Sequence, residues 1–219
     1  MRTGILILGV AILSAGTLAA QPQQVVDRIV VRIEDDILTL SDVQELGRFQ
    51  QLTNGAEKQS QPPNEQELIE MLIDQWIVNT EATAARFPQP TKEEVQAEVN
   101  RLAGQFGSAE AYHARLRELG LTEASVQRHV ARQIYFSRYL DYKLRSLARV
   151  EDAQVEKYYR EELLPEMKKR GQEAPALDNV DGQIRELLMQ REISARAAKW
   201  LEETRTRLRI EIAGKKKTP

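Results

Sequence analysis

Hydrophobic and polar residues alternate in two segments near opposite ends of the chain. The first is residues 25–33 (VVDRIVVRI), which an acidic turn at 34–36 and a short return strand at 37–40 follow. The second is residues 207–212. The apolar positions that share a strand face are Ile29, Val31, Ile33, Leu208, Ile210 and Ile212. Because a two-stranded hairpin is marginal alone, we predict that the last strand joins it in one antiparallel sheet.

Between these strands, apolar residues recur at helical spacing and polar residues mark where each helix begins. The predicted helices span about 42–52, 65–87, 92–107, 109–119, 123–148, 152–164 and 178–205. The predicted N-cap residues are Ser41, Asn64, Thr91, Ser108 and Thr122, with Gln44, Glu67 and Glu94 completing three capping boxes. Gly120 is expected just past a helix end, and Pro165 at a break or a fresh first turn. Two polar segments, 54–64 and 171–175, are predicted loops.

Two of these helices carry unusual apolar faces. The helix at 65–87 has one stripe wide enough for a central core helix, formed by Leu68, Ile69, Leu72, Ile73, Trp76 and Ile77. The helix at 123–148 has two stripes about 175° apart. They consist of Val126, Val130, Ile134, Ser137, Leu140 and Leu144 on one side, and of Tyr135, Tyr139 and Tyr142 on the other, the latter bordered by Arg128, Arg132 and Arg138.

A helix with two apolar faces is either packed between other elements or offers one face to a partner. The first alternative places the tyrosines beneath the helix at 152–164, which carries Tyr158 and Tyr159. The second makes them a binding patch, because tyrosine supplies a large contact area and arginine stacks on aromatic groups. Within the tyrosine stripe we expect burial of at least the middle residue, Tyr139, and a binding patch only at the two ends.

The first twenty residues have the layout of a secretory signal peptide. Arg2 supplies a positive charge, residues 5–13 are almost entirely aliphatic, and small residues follow at Ala19 and Ala20. A membrane span needs about 20 apolar residues, and polar Gln21 arrives too early for one. We therefore predict export with cleavage after Ala19 or Ala20; an uncleaved N-terminal anchor is the alternative.

Composition narrows the class of protein. The chain has 219 residues, of which 42% are hydrophobic and 29% charged, so that it can bury a core beneath a well-solvated surface. It has no cysteine, and its stability therefore comes from packing and not from disulfides. Its 31 basic residues nearly balance its 33 acidic residues, which argues against nucleic acid as a partner.

Candidate chemistry is sparse. His113 and His129 are the only histidines, and neither has the acidic or cysteine spacing of a metal site. The sequence contains no glycine-rich phosphate loop and no nucleophile motif. The arginines that alternate near the end of the chain, Arg205, Arg207 and Arg209, are expected to face water. The sequence thus predicts no catalytic residue, no metal site and no cofactor.

Several segments together resemble the SurA-type family of periplasmic chaperones. VVDRIVVRIEDDILTLSDV is similar to that family's opening strand, turn and helix cap, and ELIEMLIDQWIVNTEA to its second core helix. The arm helices follow, and Leu116, Gly120, Leu121 and Thr122 mark where one of them ends and the next begins, as in that family. IRELLMQREISARAAKWLEETRTRLRIEI is similar to the closing helix and strand. The resemblance covers nearly all of residues 25–212.

The chain departs from the isomerase-bearing relatives in one respect. In those, parvulin prolyl-isomerase domains lie between the helical arm and the closing helix. Here about 30 residues separate Val150 from Val180, and part of them reads as helix, so that the interval has no room for such a domain. The resemblance therefore implies a chaperone frame without the enzyme.

The resemblance implies a mainly α fold, a multi-helix core whose small antiparallel sheet combines an N-terminal hairpin and the C-terminal strand. Residues 21–213 form one core in this scheme, with the hairpin and arm at 25–150, the closing helices and strand at 151–213, and a basic tail at 214–219.

The function that the resemblance implies is that of an ATP-independent holdase in the periplasm, whose partners (clients) are unfolded or newly exported polypeptides such as outer-membrane proteins. After signal cleavage it has no stable membrane insertion. The client-binding candidates are Tyr135, Tyr139, Tyr142, Arg132 and Arg138; the alternative function is an envelope assembly or interaction subunit with one dedicated protein partner.

Overall fold

The computed structural model describes residues 27–54 and 63–214. Its strands are β1 (Ile29–Ile33), β2 (Asp36–Thr39) and β3 (Ile210–Ile212). Its helices are α1 (Leu40–Asn54), α2 (Glu65–Ala84), α3 (Lys92–Gly104), α4 (Ala109–Leu119), α5 (Glu123–Leu144), α6 (Asp152–Tyr158), α7 (Leu164–Lys169) and α8 (Leu177–Arg205). The predicted mainly α fold with a small antiparallel sheet is confirmed. The predicted signal peptide, the middle of the 54–64 loop and the lysines of the tail lie outside the described residues.

The sheet closes the end of the chain onto its beginning, as predicted. The strand order is β2-β1-β3 and both pairings are antiparallel. Val31 and Ile33 of the central strand are completely buried. The predicted strict alternation of β1 is interrupted by a bulge between Ile29 and Val31, which turns Val30 into the core as well.

Capping residues begin most helices where the sequence predicts. Asn64 with Glu67 and Thr91 with Glu94 form capping boxes, and Ser108 caps α4. Thr122 caps α5 with Ser125 as its reciprocal partner. These side chains satisfy backbone N–H groups that have no partner within the helix.

The predicted Ser41–Gln44 capping box is wrong. Strand β2 runs directly into α1, and the reciprocal pair lies two residues earlier. The Thr39 hydroxyl accepts a hydrogen bond from the Asp42 amide at 3.4 Å, and the Asp42 carboxylate accepts one from the Thr39 amide at 2.8 Å. The amide of Ser41 instead donates to the Asp27 carboxylate at 3.2 Å.

The helix that begins at Asp152 does not stop at Leu164. It continues through a π-helical turn (Tyr159–Leu163) into α7. Proline cannot donate a backbone hydrogen bond, and its ring clashes with the carbonyl four residues earlier. The wider π turn, in which the Leu164 amide donates to the Tyr159 carbonyl, carries the helix past this obstacle at Pro165.

The core consists of two hydrophobic clusters joined by α1 and α5. The sheet cluster combines β1, the first half of α1, α2, the second half of α5 and α8. The arm cluster combines the end of α1 with α3, α4 and the first half of α5. Helices α1 and α2 approach closely at Gly47, where an added Cβ would lie 3.0 Å from the Leu68 side chain. Within the described ranges, no helix has both the length and the apolar character that a membrane crossing needs.

The expectation that Arg205 faces water is wrong. This residue ends α8 and does not belong to the strand. Its guanidinium pairs with the carboxylates of Glu70 and Asp74 on α2 and donates to the Glu70 carbonyl at 3.0 Å. The end of α8 is thereby held on α2, immediately before the chain turns into β3.

Candidate functional site

The tyrosine stripe of α5 faces mainly inward. Tyr135 is 4% exposed and Tyr139 is 3% exposed, which confirms the expected burial of Tyr139. Their rings pack on Phe87, with centroid distances of 5.8 and 5.5 Å, and the Tyr135 hydroxyl donates to the Phe87 carbonyl at 3.3 Å. Only Tyr142, which is 68% exposed, offers its ring to solvent. The stripe as a whole is therefore not an open patch.

The tyrosines also do not pack where the first alternative placed them. Phe87 follows α2, and the chain reverses there because Arg86 has φ 52° and the Phe87 amide donates to the Ala82 carbonyl. The tyrosines of the 152–164 segment make other contacts: the Arg191 guanidinium lies over the Tyr158 ring, and the Tyr159 hydroxyl donates to the Pro175 carbonyl.

The two arginines among the client-binding candidates, Arg132 and Arg138, differ in their contacts. Arg138 forms a bidentate pair with Glu94, at 2.9 and 2.7 Å, and this pair holds the pKa of the Glu94 carboxyl at about 2. The guanidinium of Arg138 is therefore already paired with a carboxylate of the chain itself. Arg132 is exposed and makes no hydrogen bond or ion pair with any residue that the structure describes.

Arg132 and Tyr135 line a cavity of about 460 Å³ between β2, the start of α1, α2 and α5, which we call the edge cavity. Its other lining residues are Ile37, Leu38, Asp42, Leu72, Gln75, Trp76, Val78, Asn79 and Phe136. Ile37 is the exposed hydrophobic residue of this set, at 48%. The indole N–H of Trp76 donates to the Asp36 carboxylate at 2.8 Å, which fixes the ring on the cavity wall.

A second cavity of about 220 Å³ adjoins the first, since Gln75 and Phe136 line both. The imidazole of His129 forms part of its wall, stacked on Phe49 with a centroid distance of 4.7 Å. His129 is 4% exposed, so it is a packed core residue and not a surface histidine. Burial lowers its pKa, although its ring nitrogen lies 3.1 Å from the Glu45 carboxylate, which opposes the shift.

Asp74 on α2 lines the same second cavity. Burial raises the pKa of its carboxyl, and the hydrogen bond from Arg205 only partly opposes this shift. The two groups are thus shifted in opposite directions by the same physical cause, because burial disfavours the charged form of both an acid and a base.

The described residues contain no group of three or more metal-ligating side chains that lie together. Both cavities combine aromatic and aliphatic side chains with amide and carboxylate groups. Such an arrangement suits the burial of apolar groups of a bound chain, with polar groups orienting it.

In comparisons with known proteins, no family model and no curated protein matches this chain. The chaperone interpretation therefore rests on the residues themselves.

Sequence reasoning missed the residues that form the open part of the site. The sequence places Trp76 in the core stripe of α2; the ring does pack on the sheet cluster, but it is only half-buried and also lines the edge cavity. Phe136 belonged to neither predicted stripe of α5. The available signal was the position of Phe136 between the two stripes, where a helix packed on both sides leaves a gap.

Proposed function

We propose that this chain is an exported, ATP-independent chaperone that holds unfolded polypeptides in the periplasm. The observation that carries the proposal is the pair of adjoining open cavities between α2 and α5. Their walls present the rings of Trp76 and Phe136, both half-buried, beside the exposed side chain of Ile37. An unfolded chain gains free energy when its apolar groups leave water, and half-buried apolar residues around an open cavity offer them a surface on which to do so.

Further support comes from the contacts that hold the helices lining the cavities. Helix α2, which lines both cavities, is held to the end of α8 by the pairs of Arg205 with Glu70 and Asp74. The affinity for clients should be modest, because a flexible chain loses conformational entropy when it binds. Reversible, modest binding is what a holdase requires.

The direct test is suppression of aggregation. The purified chain should keep several unrelated denatured proteins from aggregating without nucleotide, including an unfolded outer-membrane protein. A dedicated assembly subunit would protect one partner and leave the others to aggregate. Failure to protect any of them would contradict the proposal.

A pair of variants localises the activity. Phe136→Ser removes a ring shared by both cavities, and Leu187→Ser removes an exposed apolar side chain of α8, which does not line them. We expect suppression to fall markedly in the first variant and to persist in the second. Thermal melts of both variants check that the loss does not come from unfolding.

A further inference from the structure

The direction of the main-chain groups in β2 follows from the pairing of β1. The Ala213 amide donates to the Val30 carbonyl, and the Glu34 amide donates to the Arg209 carbonyl. In an antiparallel ladder the hydrogen-bonded pairs alternate along the strand, so Arg32 is the residue between them whose main chain faces β3. Its partner on the other side is Ile37.

The main chain of Ile37 must then point away from β1. Because Arg32 faces β3, the Arg32–Ile37 pair is a non-hydrogen-bonded pair of the β1–β2 ladder. The N–H and C=O of Ile37 are therefore directed to the open side of β2, which is an outer strand of the sheet. Two residues further on, the Thr39 amide is occupied by the Asp42 carboxylate.

The edge cavity lies along this same open side. Successive residues of a strand point to opposite faces of the sheet. Ile37 and Leu38 are successive, and both line the cavity. A cavity that touches both residues lies beside the strand and not over one of its faces. The free donor and acceptor of Ile37 thus border a space walled by aromatic side chains.

We propose that an extended segment of a client pairs with β2 at Ile37 as an added strand and places an apolar side chain in the edge cavity. This inference rests on the proposed chaperone function and adds the mode by which clients are held. The occupant is argued from complementarity: an extended chain supplies the acceptor and donor that Ile37 lacks, and its side chain fills the cavity. The unpaired cation of Arg132 at the cavity favours an acidic residue nearby in the bound segment.

The pairing between the client segment and β2 is limited to one residue of β2. A client residue exchanges two hydrogen bonds with Ile37, and the Asp42 carboxylate on the Thr39 amide prevents the ladder from continuing. Main-chain recognition explains how one site accepts unrelated sequences, because every residue except proline carries the same donor and acceptor. The shortness keeps the complex reversible.

The test uses the full chain and two synthetic peptides of about ten residues, a length typical of the longer strands in proteins. Both have the same alternating sequence of valine and threonine with one glutamate, and one is N-methylated at every backbone amide. Methylation removes the N–H donors that main-chain pairing needs but keeps every side chain. We expect the unmethylated peptide to bind at least about tenfold more tightly, a difference of about 1.4 kcal/mol.

Hydrogen exchange of single amides locates the contact. The Ile37 amide should exchange rapidly in the free protein and slow down when the unmethylated peptide is added. The Ile212 amide, which points away from β1 at the opposite edge of the sheet, is the internal control and should not change. Equal binding of the two peptides, or protection at Ile212 in place of Ile37, would overturn the proposal.

A free protein in which the Ile37 amide is already protected would also overturn it. Protection that grows with protein concentration would mean that a second copy covers the edge, and protection independent of concentration would mean that the chain covers it itself. If the chain suppresses aggregation but Ile37 behaves in either way, the chaperone function stands and the strand-addition mode fails. If it suppresses no aggregation, the function itself fails.

Variants of Ile37 provide the matched pair. Ile37→Pro removes the outward N–H, which the β1–β2 ladder does not use, and proline is tolerated at such edge positions. Ile37→Val keeps the N–H and most of the apolar side chain. We expect about tenfold weaker peptide binding for the proline variant and about the wild-type affinity for the valine variant. Equal affinity in both folded variants would contradict main-chain pairing; if the proline variant does not fold, the methylated peptide decides.

Discussion

The sheet cluster and the arm cluster share α1 and α5 but are assembled in different ways. The buried residues of the arm cluster come from positions 49–130. Those of the sheet cluster range from position 30 to 201, with the apolar residues of β3 packed against them. The arm is therefore built from contacts that are closer in sequence, and the sheet cluster depends on the chain returning to its beginning. We infer that damage at the end of the chain affects the sheet cluster first, and with it the edge cavity.

The largest expected effect comes from removing that return. Deletion of residues 206–219 takes away β3 and uncovers Val31 and Ile33. Complete burial of each large aliphatic side chain contributes about 1.5–3 kcal/mol, and a typical domain has about 5–15 kcal/mol in all. The variant should be grossly destabilised or insoluble, as urea or thermal melting will show. A control that lacks only residues 215–219 keeps β3; an unchanged melt of the longer deletion would contradict the role assigned to β3.

The second effect separates the buried and exposed ends of the tyrosine stripe within the sheet cluster. Tyr139→Ser removes a fully packed ring and should cost about 3–5 kcal/mol. Tyr142→Ser changes a side chain that is 68% exposed and should stay within about 0.5 kcal/mol. Chemical denaturation of the two variants measures both. Both rings pack on Phe87, so similar costs for the two would mean that burial in the core does not distinguish them.

The third effect is a pH dependence of the free energy of unfolding, and it arises from His129, which packs against the arm cluster. His129 is buried against Phe49, and burial lowers its pKa, so the unfolded chain binds a proton at a higher pH than the folded chain does. The stabilising contribution is complete above the ordinary histidine pKa of about 6.5 and declines as the pH falls below it. His129→Gln should flatten this part of the pH profile of the free energy of unfolding.

The smallest effects form a pair with opposite signs. Arg86, in the turn that brings Phe87 onto the sheet cluster, and Gly120, in the arm, both have left-handed backbone conformations, with φ 52° and 62°. A Cβ in this conformation costs roughly 1–2 kcal/mol. Arg86→Gly should therefore raise the melting temperature by a few degrees, and Gly120→Ala should lower it. A loss of stability in the glycine variant would show that the Arg86 side chain contributes contacts that outweigh the strain.

Local sequence signals predicted local structure well. Four caps, at Asn64, Thr91, Ser108 and Thr122, lie where predicted because each depends only on residues within three positions. Two other local predictions were wrong. The Ser41 cap was wrong because β2 runs straight into α1. The helix does not end at Leu164, because a π turn leads into α7, and Pro165 lies in the first turn of α7, as one of its two predicted alternatives has it.

The candidate site, too, could be predicted only in part from the sequence. Among the residues predicted from the tyrosine stripe, Arg132 and Tyr135 do line the edge cavity. Tyr139 is enclosed by the core, and Arg138 is held by Glu94. The cavity itself was not predictable, because it exists only where β2, α2 and α5 meet. A helical wheel gives the side on which a residue lies but not what covers that side.

The sequence by itself determined the order of the elements, the mainly α class and the return of the last strand to the first hairpin. These follow from periodicity, capping residues and the need of a marginal hairpin for a third strand, all of which are encoded in short stretches of chain. Only the tertiary structure decided which apolar residues are covered. It buried two tyrosines, placed Trp76 and Phe136 at an open cavity, drew Arg205 onto α2 and left the main chain of Ile37 facing outward. Coverage is a property of neighbours that are distant in sequence, and no local pattern records it.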